Sequence, residues 1–285
     1  MRRVSIRERR TLVGVTCAVD NCLVRSASTY AASVVSALFA SLFLLFLVAP
    51  LVGLVGAGGA AGVRQLFSDP ELRGAVALTV LTATTATLFA VLGGTPLAYL
   101  LARRQFTGRA LVAAILDLPL LIPHPVAGIA LLLVLGRGSP LGSVLFGAGL
   151  RLTGSVFGIV CAMLFVAAPL YVAGARESFA RVDRRYEAVA RTLGDDAWRA
   201  FRRVTLPLSV RGLTASAIVM WARAVSEFGA IVILTYNPKV VSVLSYDRFT
   251  TFGLSGALPV AAVLVLLAIL PLAALRALRG GDSTA

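Results

Sequence analysis

The stretch "YEAVARTLGDDAWRAFRRVTLPLSVRG" runs from Tyr186 to Gly212. It is rich in arginine and is interrupted by Gly194 and Pro207. The surrounding chain of 285 residues is 58% hydrophobic, has a mean hydropathy of +0.90, and contains only 14% charged residues. A soluble domain contains about 25% charged residues. A long basic segment between apolar runs is therefore typical of a loop that joins membrane-spanning helices.

Six apolar runs predict an all-α, polytopic membrane protein. Each run approaches or exceeds the ~20 residues that a helix needs to cross the hydrocarbon core. The runs cover residues 32–56, 74–101, 110–136, 154–174, 212–236 and 256–276. Residues 1–30 are predicted to be an extension rather than a span, because their apolar part is short and contains Asp20 and Asn21. Residues 279–285 read as a disordered tail.

The distribution of basic residues predicts the orientation. With the N-terminus inside, 20 of the 27 Lys and Arg residues lie in inside segments and six in outside segments. By the positive-inside rule, both termini are expected in the cytoplasm, with the chain in the cell membrane. A nucleic-acid partner is not expected, because the positive charge is spread over four loops rather than gathered in one patch.

The quoted loop has the pattern of two short helices joined by a turn. Gly194 can end the first helix, either Asp195 or Asp196 can cap the second, and Pro207 is expected to end it. The second helix places apolar residues on one side, with Trp198 at the edge: Ala197, Ala200, Phe201 and Val204. Such a helix can dock into a groove on another protein or lie among lipid headgroups. The residues alone leave these alternatives open.

The sequence offers no site for nucleotide chemistry. A Walker A loop needs a lysine after its glycines, and the only lysine, Lys239, lies in a predicted outside loop. Acidic residues are few and scattered, so we predict neither catalytic residues nor a metal site. We expect no cofactor in this chain, and any ATP hydrolysis would need a separate protein.

The quoted loop resembles the EAA loop of ABC-importer permeases. Gly194, Val204, Leu206 and Pro207 fall at that family's spacings. Ala188 holds the position of the usual glutamate, and Glu187 lies one residue earlier, so whether Glu187 takes over its role stays open. The resemblance implies a permease domain over residues 31–278 and a coupling loop, about 176–211, that seats on an ATPase subunit. It also assigns a set of residues to that contact: Glu187, Ala188, Gly194, Trp198, Phe201, Leu206 and Pro207.

Two further stretches, 118–142 and 221–261, resemble the permease of tungstate/molybdate importers. The group Arg223, Glu227, Phe228 and Gly229 is similar to oxyanion importers more broadly, including those for sulfate. The resemblance covers roughly residues 35–275. It implies a homodimer in the lipid bilayer, an ATPase dimer that binds ATP and Mg, and an extracytoplasmic oxyanion-binding protein. The alternatives are a permease for sulfate or another oxyanion, and an ion-gradient-driven secondary transporter, which expects paired broken helices.

Charged residues inside an apolar span predict an ion pair. Arg223 and Glu227 are four residues apart, on one face of the predicted fifth span, and an unpaired charge there costs about 2.5–3.5 kcal/mol on insertion scales. The pair can line the translocation path or gate, or it can be a structural pair between helices.

Prolines predict a broken third span. Pro123 and Pro125 each remove a backbone donor, and such a break is tolerated where protein or a water-filled cavity satisfies the backbone. The span should therefore face the interior, at the translocation path or gate. His124, between the two prolines, either bonds to neighbouring helices or helps to gate anions. Asp117 either caps the restarted segment or is solvated.

Overall fold

The structure, a computed structural model, describes the backbone of residues 6–280 and the side chains of residues 33–276. Within the described backbone the protein is helical and has no strand, so the all-α prediction is confirmed. The tail from 281 and residues 1–5 lie outside the described residues. The helices are α1 Ile6–Ser68, α2 Pro70–Arg103, α3 Arg109–Leu121, α4 His124–Leu135, α5 Pro140–Gly147, α6 Val156–Arg181, α7 Arg184–Thr192, α8 Ala197–Ala200, α9 Leu206–Val225, α10 Gly229–Leu234 and α11 Val241–Gly280, with a π-helical turn at Phe201–Thr205.

The chain forms two compact units, residues 1–53 and 54–285. The first unit contains the N-terminal part of α1, whose side chains from residue 33 to residue 53 are all exposed. Most of these side chains are apolar, as expected of a surface that faces lipid. The predicted extension, residues 1–30, belongs to this unit, and the structure describes its backbone as helical from Ile6.

Five helices are long and apolar enough to cross a membrane, and a sixth crossing comes from a bent pair. The five are Ser33–Ser68, Pro70–Arg103, Val156–Arg181, Ala197–Val225 and Val241–Arg276. The bent pair is α3 and α4, which meet at an angle of 117°. The predicted third span therefore exists, and its break at the prolines is confirmed.

Contacts at the two ends of α2 and α6 show that these helices run parallel. The last residue of α2 donates a hydrogen bond of 2.9 Å to the carbonyl of the residue that follows α6. At the opposite face, the loop between α10 and α11 contacts the beginnings of both helices. Lys239 lies 3.3 Å from Glu71 in the first turn of α2, and the Thr235 hydroxyl lies 3.3 Å from the carbonyl of Leu152, just before α6. The chain between the helices must return from one face to the other, so α3, α4 and α5 together make one crossing.

Small residues let α6 and α9 approach closely. A Cβ atom at Gly174 would lie 2.3 Å from the Ser216 hydroxyl, and one at Gly212 would lie 2.1 Å from the Ser178 hydroxyl. Each glycine thus accepts a serine of the other helix, which is how membrane helices gain packing contacts without a hydrophobic driving force. This contact holds the start of α9 against the end of α6.

The predicted fifth span, 212–236, has the wrong bounds. The helix begins in the loop at Ala197, continues through a π-helical turn, and ends at Val225. Pro207 does not end it: the N–H of Leu206 bonds five residues back to Phe201, and the proline lies in the first turn of the new α-helical register. Its missing N–H is not needed there. The sixth span also begins earlier than predicted, at Val241, and kinks at Gly253.

An ion network ties the turn between α1 and α2 to the start of α11. Arg248 pairs with Asp69 and, at 3.1 Å, with Glu71, while Lys239 bonds to Asp247 at 2.7 Å and to Glu71 at 3.3 Å. The hydrogen bond from Arg248 lowers the pKa of Asp69, and the bond to Asp247 raises the pKa of Lys239. The network lies on the face opposite the loop 182–205, which we call the arginine-rich loop.

Candidate functional site

Two helix breaks meet in the second unit, where Pro123, Pro125 and Ser226 are exposed. One separates α3 from α4 at Ile122 and Pro123, and the other separates α9 from α10 at residues 226–228. A Cβ atom at Gly229 would lie 2.7 Å from Cβ of His124 and 3.0 Å from Cδ of Pro125. The glycine therefore allows the two breaks to touch, and a larger residue would push α10 away from α4.

The contact brings together the charged residues that the sequence singled out. Nη2 of Arg223 lies 2.9 Å from Oε2 of Glu227, and the same guanidinium contacts Nε2 of His124. Nε2 of His124 lies 3.7 Å from the Glu227 carboxylate. The predicted ion pair is formed, but not on one helical face, because Glu227 follows the end of α9 and lies in the break itself. We call Arg223, Glu227 and His124 the membrane cluster.

The backbone around the break holds Glu227 in place. The N–H of Ala230 donates to Oε1 of the carboxylate at 3.0 Å, so Glu227 satisfies a free donor at the start of α10. The hydroxyl of Ser242 donates to the Glu227 carbonyl at 2.7 Å. Helix α10 therefore holds the Glu227 carboxylate, and α11 holds the Glu227 backbone.

Burial within the membrane cluster is unequal. The Glu227 side chain is 0% exposed, whereas that of Arg223 is 23% exposed and that of His124 is 36% exposed. The negative charge of Glu227 is therefore buried, and the side chains of Arg223 and His124 are partly accessible. The Arg223 guanidinium is thus accessible, while the buried Glu227 carboxylate balances its positive charge. Such a balanced cation is suited to weak, reversible contact with an anion.

Asp117 is not a cap. It lies within α3, which begins after Gly108 and continues to Leu121, and the structure leaves Asp117 exposed. The restarted segment, α4, is instead preceded by Pro123. Of the two interpretations for Asp117, the helix-capping one is wrong.

The arginine-rich loop has the predicted pattern of two helices and a turn. Asp183 caps α7, Gly194 has a φ of +98°, and Asp196 caps α8 by accepting a 2.7 Å bond from the N–H of Arg199. Of the two aspartates proposed as caps, Asp196 is the one used. Asp195 instead pairs with Arg203 at 2.8 Å.

Glu187 points back toward the membrane helices. Its carboxylate lies 3.0 Å from Nη2 of Arg103 at the end of α2. It also accepts hydrogen bonds from the hydroxyl of Thr205, in the π-helical turn, and from that of Tyr99 at 3.4 Å. Ala188, at the position of the family's usual glutamate, is exposed. Glu187 therefore joins the first helix of the loop to α2 and to the start of α9.

The two aromatic residues of α8 and the π-helical turn have different surroundings. The ring of Phe201 packs 4.7 Å from Tyr99 and 6.0 Å from Phe179, measured between ring centroids. Trp198 stacks on the outer side of Phe201 and is 64% exposed. Phe201 thus anchors the loop within this chain, whereas Trp198 lies on its surface.

The exposed apolar surface of the loop differs from the side of the second helix that the sequence predicted, since Ala200 is buried and Phe201 and Val204 are half-buried. It comprises Tyr186, Val189, Leu193 and Trp198. The first three are spaced by three and four residues, the period of one helical face, so the signal was present in the sequence of α7. Leu206 is half-buried, Pro207 is exposed, and the turn at Gly194 lies between the two helices.

Comparison with known proteins identifies the family. Residues 94–279 match the family described as "Binding-protein-dependent transport system inner membrane component". The chain is 42% identical over 201 residues, 70% of this chain and 76% of the relative, to the molybdate/tungstate transport system permease protein WtpB of Thermococcus kodakarensis. It is 43% identical over 195 residues, 68% of this chain and 71% of the relative, to a probable molybdenum ABC transporter permease protein of Haloferax volcanii.

A solved structure shares the fold. A bacterial alginate ABC transporter, determined in complex with an alginate pentasaccharide-bound periplasmic protein, superposes with a TM-score of 0.63 at 20% identity. The match covers 84% of this chain and 89% of the matched chain. The chain therefore belongs to the family of inner-membrane components of binding-protein-dependent transport systems, as a multi-pass ABC-importer permease.

Proposed function

We propose that this protein is the permease subunit of an ATP-driven importer of molybdate and tungstate. The identity to permeases named for these anions supports the substrate. The membrane cluster carries the proposal, because it puts a compensated arginine and a histidine at the meeting point of two broken helices. An oxyanion with a double negative charge needs such donors to replace part of its water shell.

The negative charge of Glu227, which balances Arg223, favours passage of the anion over tight binding of the anion. A bare arginine in a low-dielectric path would hold a divalent anion tightly, and conduction requires that binding be weak enough for release. With the Glu227 carboxylate 2.9 Å away, the Arg223 guanidinium attracts the anion with reduced strength. The anion competes with Glu227 for the same guanidinium and leaves when that pair closes again.

The proposed assembly is a homodimer that works with two copies of a cytoplasmic ATPase and an extracytoplasmic oxyanion-binding protein. ATP and Mg would bind to the ATPase, and both termini of the permease would lie in the cytoplasm. The arginine-rich loop is then cytoplasmic, with Tyr186, Val189, Leu193 and Trp198 facing the ATPase. Because Glu187 joins that loop to α2 and the start of α9, movement of the loop reaches α9, which leads to Arg223 and the break beyond it.

The test is uptake into proteoliposomes. With the ATPase, the binding protein and ATP, molybdate is expected to accumulate, and omission of the ATPase should abolish accumulation. A matched sample of the permease alone, given a proton or sodium gradient, should take up nothing. Because two broken helices are also found in secondary transporters, gradient-driven accumulation without the ATPase would overturn the proposal.

Substrate choice is tested in the same vesicles. Molybdate and tungstate, which are alike in size and charge, should compete at similar concentrations, and sulfate should compete more weakly. Equal competition by sulfate would show that the permease serves oxyanions in general.

A further inference from the structure

The loop between α4 and α6 carries two arginines on one aromatic ring. The guanidinium carbon of Arg137 lies 4.3 Å from the ring centroid of Phe146, and that of Arg151 lies 5.5 Å from it. Arg137 precedes α5 and Arg151 follows it, so the fold of the loop brings them together. Both side chains are exposed. Cation–π attraction to a shared ring holds the two positive charges near each other.

Among the side chains that the structure describes, no acidic one compensates these charges. The sequence has no Asp or Glu between Asp117 and Glu177. Among the residues whose side chains the structure describes, none places a carboxylate within 4 Å of either guanidinium. Every other charged cluster described above, including the ion network at Arg248, contains its own acid. Two like charges held on one ring without an acid favour an anion that comes from outside the chain.

The loop is a built element. Ser139 caps α5 by accepting a 2.9 Å bond from the N–H of Gly142. A Cβ atom at Gly142 would lie 1.9 Å from the carbonyl oxygen of Gly136, so α5 is seated directly on the end of α4. The position of Phe146 relative to the membrane helices is therefore fixed.

The surface beside the arginines is apolar. Leu141 and Val144 of α5 are exposed, and so are Leu133 and Val134 at the end of α4 and Leu150 after α5. The segment lies just before the start of α6, at the membrane boundary on the face opposite the arginine-rich loop. An exposed apolar helix flanked by arginines at such a boundary fits a bilayer interface, with side chains in the acyl region and guanidinium groups at the phosphates.

We propose that Arg137, Phe146 and Arg151 form a binding site for the phosphate group of an anionic lipid, with α5 lying in the interface of that leaflet. Two guanidinium groups can each donate two hydrogen bonds to phosphate oxygens. The lipid phosphate supplies the negative charge that the chain lacks here, and the acyl chains cover Leu141 and Val144. The site is separate from the membrane cluster and does not depend on which anion is transported.

The test uses the purified full chain in nanodiscs of phosphatidylcholine, with or without phosphatidylglycerol. The wild type is expected to gain thermal stability and to retain phosphatidylglycerol in native mass spectrometry. The variant Arg137→Gln with Arg151→Gln should lose most of both effects, while Arg137→Lys with Arg151→Lys should keep part of them. Arg64→Gln is the matched control, since Arg64 is an exposed arginine near the α1–α2 turn on the same face, and should behave as wild type.

Any one of the following results would overturn the proposal. The double glutamine variant could keep the full lipid effect, or inorganic phosphate in neutral nanodiscs could reproduce it, which would indicate a soluble anion. The variant could also keep the lipid effect and lose affinity for the oxyanion-binding protein, which would make this surface a docking face. A spin label at Val144, in a chain whose three cysteines are replaced, is expected to be accessible to oxygen and shielded from a water-soluble nickel chelate; the opposite pattern also contradicts the proposal.

Discussion

Two glutamate–arginine pairs, one in the membrane cluster and one at the arginine-rich loop, have opposite patterns of burial. In the membrane cluster the glutamate is 0% exposed and Arg223 is 23% exposed. At the loop Arg103 is 7% exposed and Glu187 is 19% exposed. The more buried residue is Glu227 in the first pair and Arg103 in the second. The membrane pair therefore leaves a cation accessible to an anion, whereas the loop pair anchors a surface segment to α2.

The largest effect is expected at the fully buried carboxylate. Glu227→Ala leaves Arg223 without its partner and removes the acceptor for the Ala230 N–H, so we expect a loss of about 3–5 kcal/mol of stability and an uptake rate that is strongly reduced but still measurable. Glu227→Gln keeps the shape and an acceptor oxygen but removes the charge. It should fold and should transport slowly with a lowered KM, because the uncompensated arginine holds the anion.

Thermal unfolding in detergent and initial uptake rates measure these two outcomes. Normal uptake by Glu227→Gln would contradict the role of the negative charge. A raised KM would show instead that the glutamate takes part in anion recruitment.

A smaller effect is expected for the loop pair. Glu187→Ala removes the charge partner of Arg103 and an acceptor for Thr205, and hydrogen bonds to charged groups contribute about 1.5–3 kcal/mol. The spans should still insert, but ATP hydrolysis should become uncoupled from uptake. The ratio of ATP hydrolysed to molybdate imported checks this. An unchanged ratio would mean that Glu187 does not transmit loop movement.

Within the same loop, the two aromatic residues should separate partner binding from folding. Trp198→Ala should weaken ATPase co-purification, since truncation of an interface anchor costs on the order of 2 kcal/mol, and should leave the permease as stable as wild type. Phe201→Ala should instead lower the unfolding temperature of the permease alone, because its ring packs on Tyr99 and Phe179. Equal ATPase recovery with Trp198→Ala would favour a loop that lies among lipid headgroups.

The smallest effect is expected at an exposed pair on the same face. Arg181 and Glu177 lie 2.6 Å apart at the end of α6, with side chains 77% and 65% exposed. Such helix pairs contribute about 0.3–0.5 kcal/mol, so Arg181→Ala should change neither stability nor uptake beyond that. A loss as large as that of Glu187→Ala would show that the burial of an ion pair does not determine how much its removal costs.

Most of the architecture could be predicted from the sequence, because hydropathy and proline positions depend on local composition. Six crossings, the break at Pro123 and the turn at Gly194 all follow from such signals. The break at residues 226–228 could not, since "SEF" contains neither Gly nor Pro, and it is imposed by contacts of Glu227 with α10 and α11. The prediction that Pro207 ends the helix was wrong, because the π-helical turn before it places the proline in the first turn of α9.

The residues of the membrane cluster could be singled out from the sequence, but their arrangement in space could not. His124 lies 99 residues before Arg223 in the sequence, and only the packing of α4 on α10 places the histidine against the arginine. For Phe201 and Trp198, helical periodicity gave the side of the helix. It could not tell which aromatic ring the chain itself would cover, because that depends on Tyr99 and Phe179, which come from other helices.

The most direct test of the account is a double-mutant cycle on Arg223 and Glu227, read as initial ATP-driven molybdate uptake at matched amounts of reconstituted protein. Residues that act as a pair should show a coupling of about 2 kcal/mol, within the range of 0.5–3 kcal/mol found for contacting residues. The double variant Arg223→Ala with Glu227→Ala should then transport roughly 30-fold better than the product of the two single losses, since 1.36 kcal/mol corresponds to a factor of ten. Losses that simply multiply, to within about twofold, would contradict a compensated arginine at the crossing of the two broken helices.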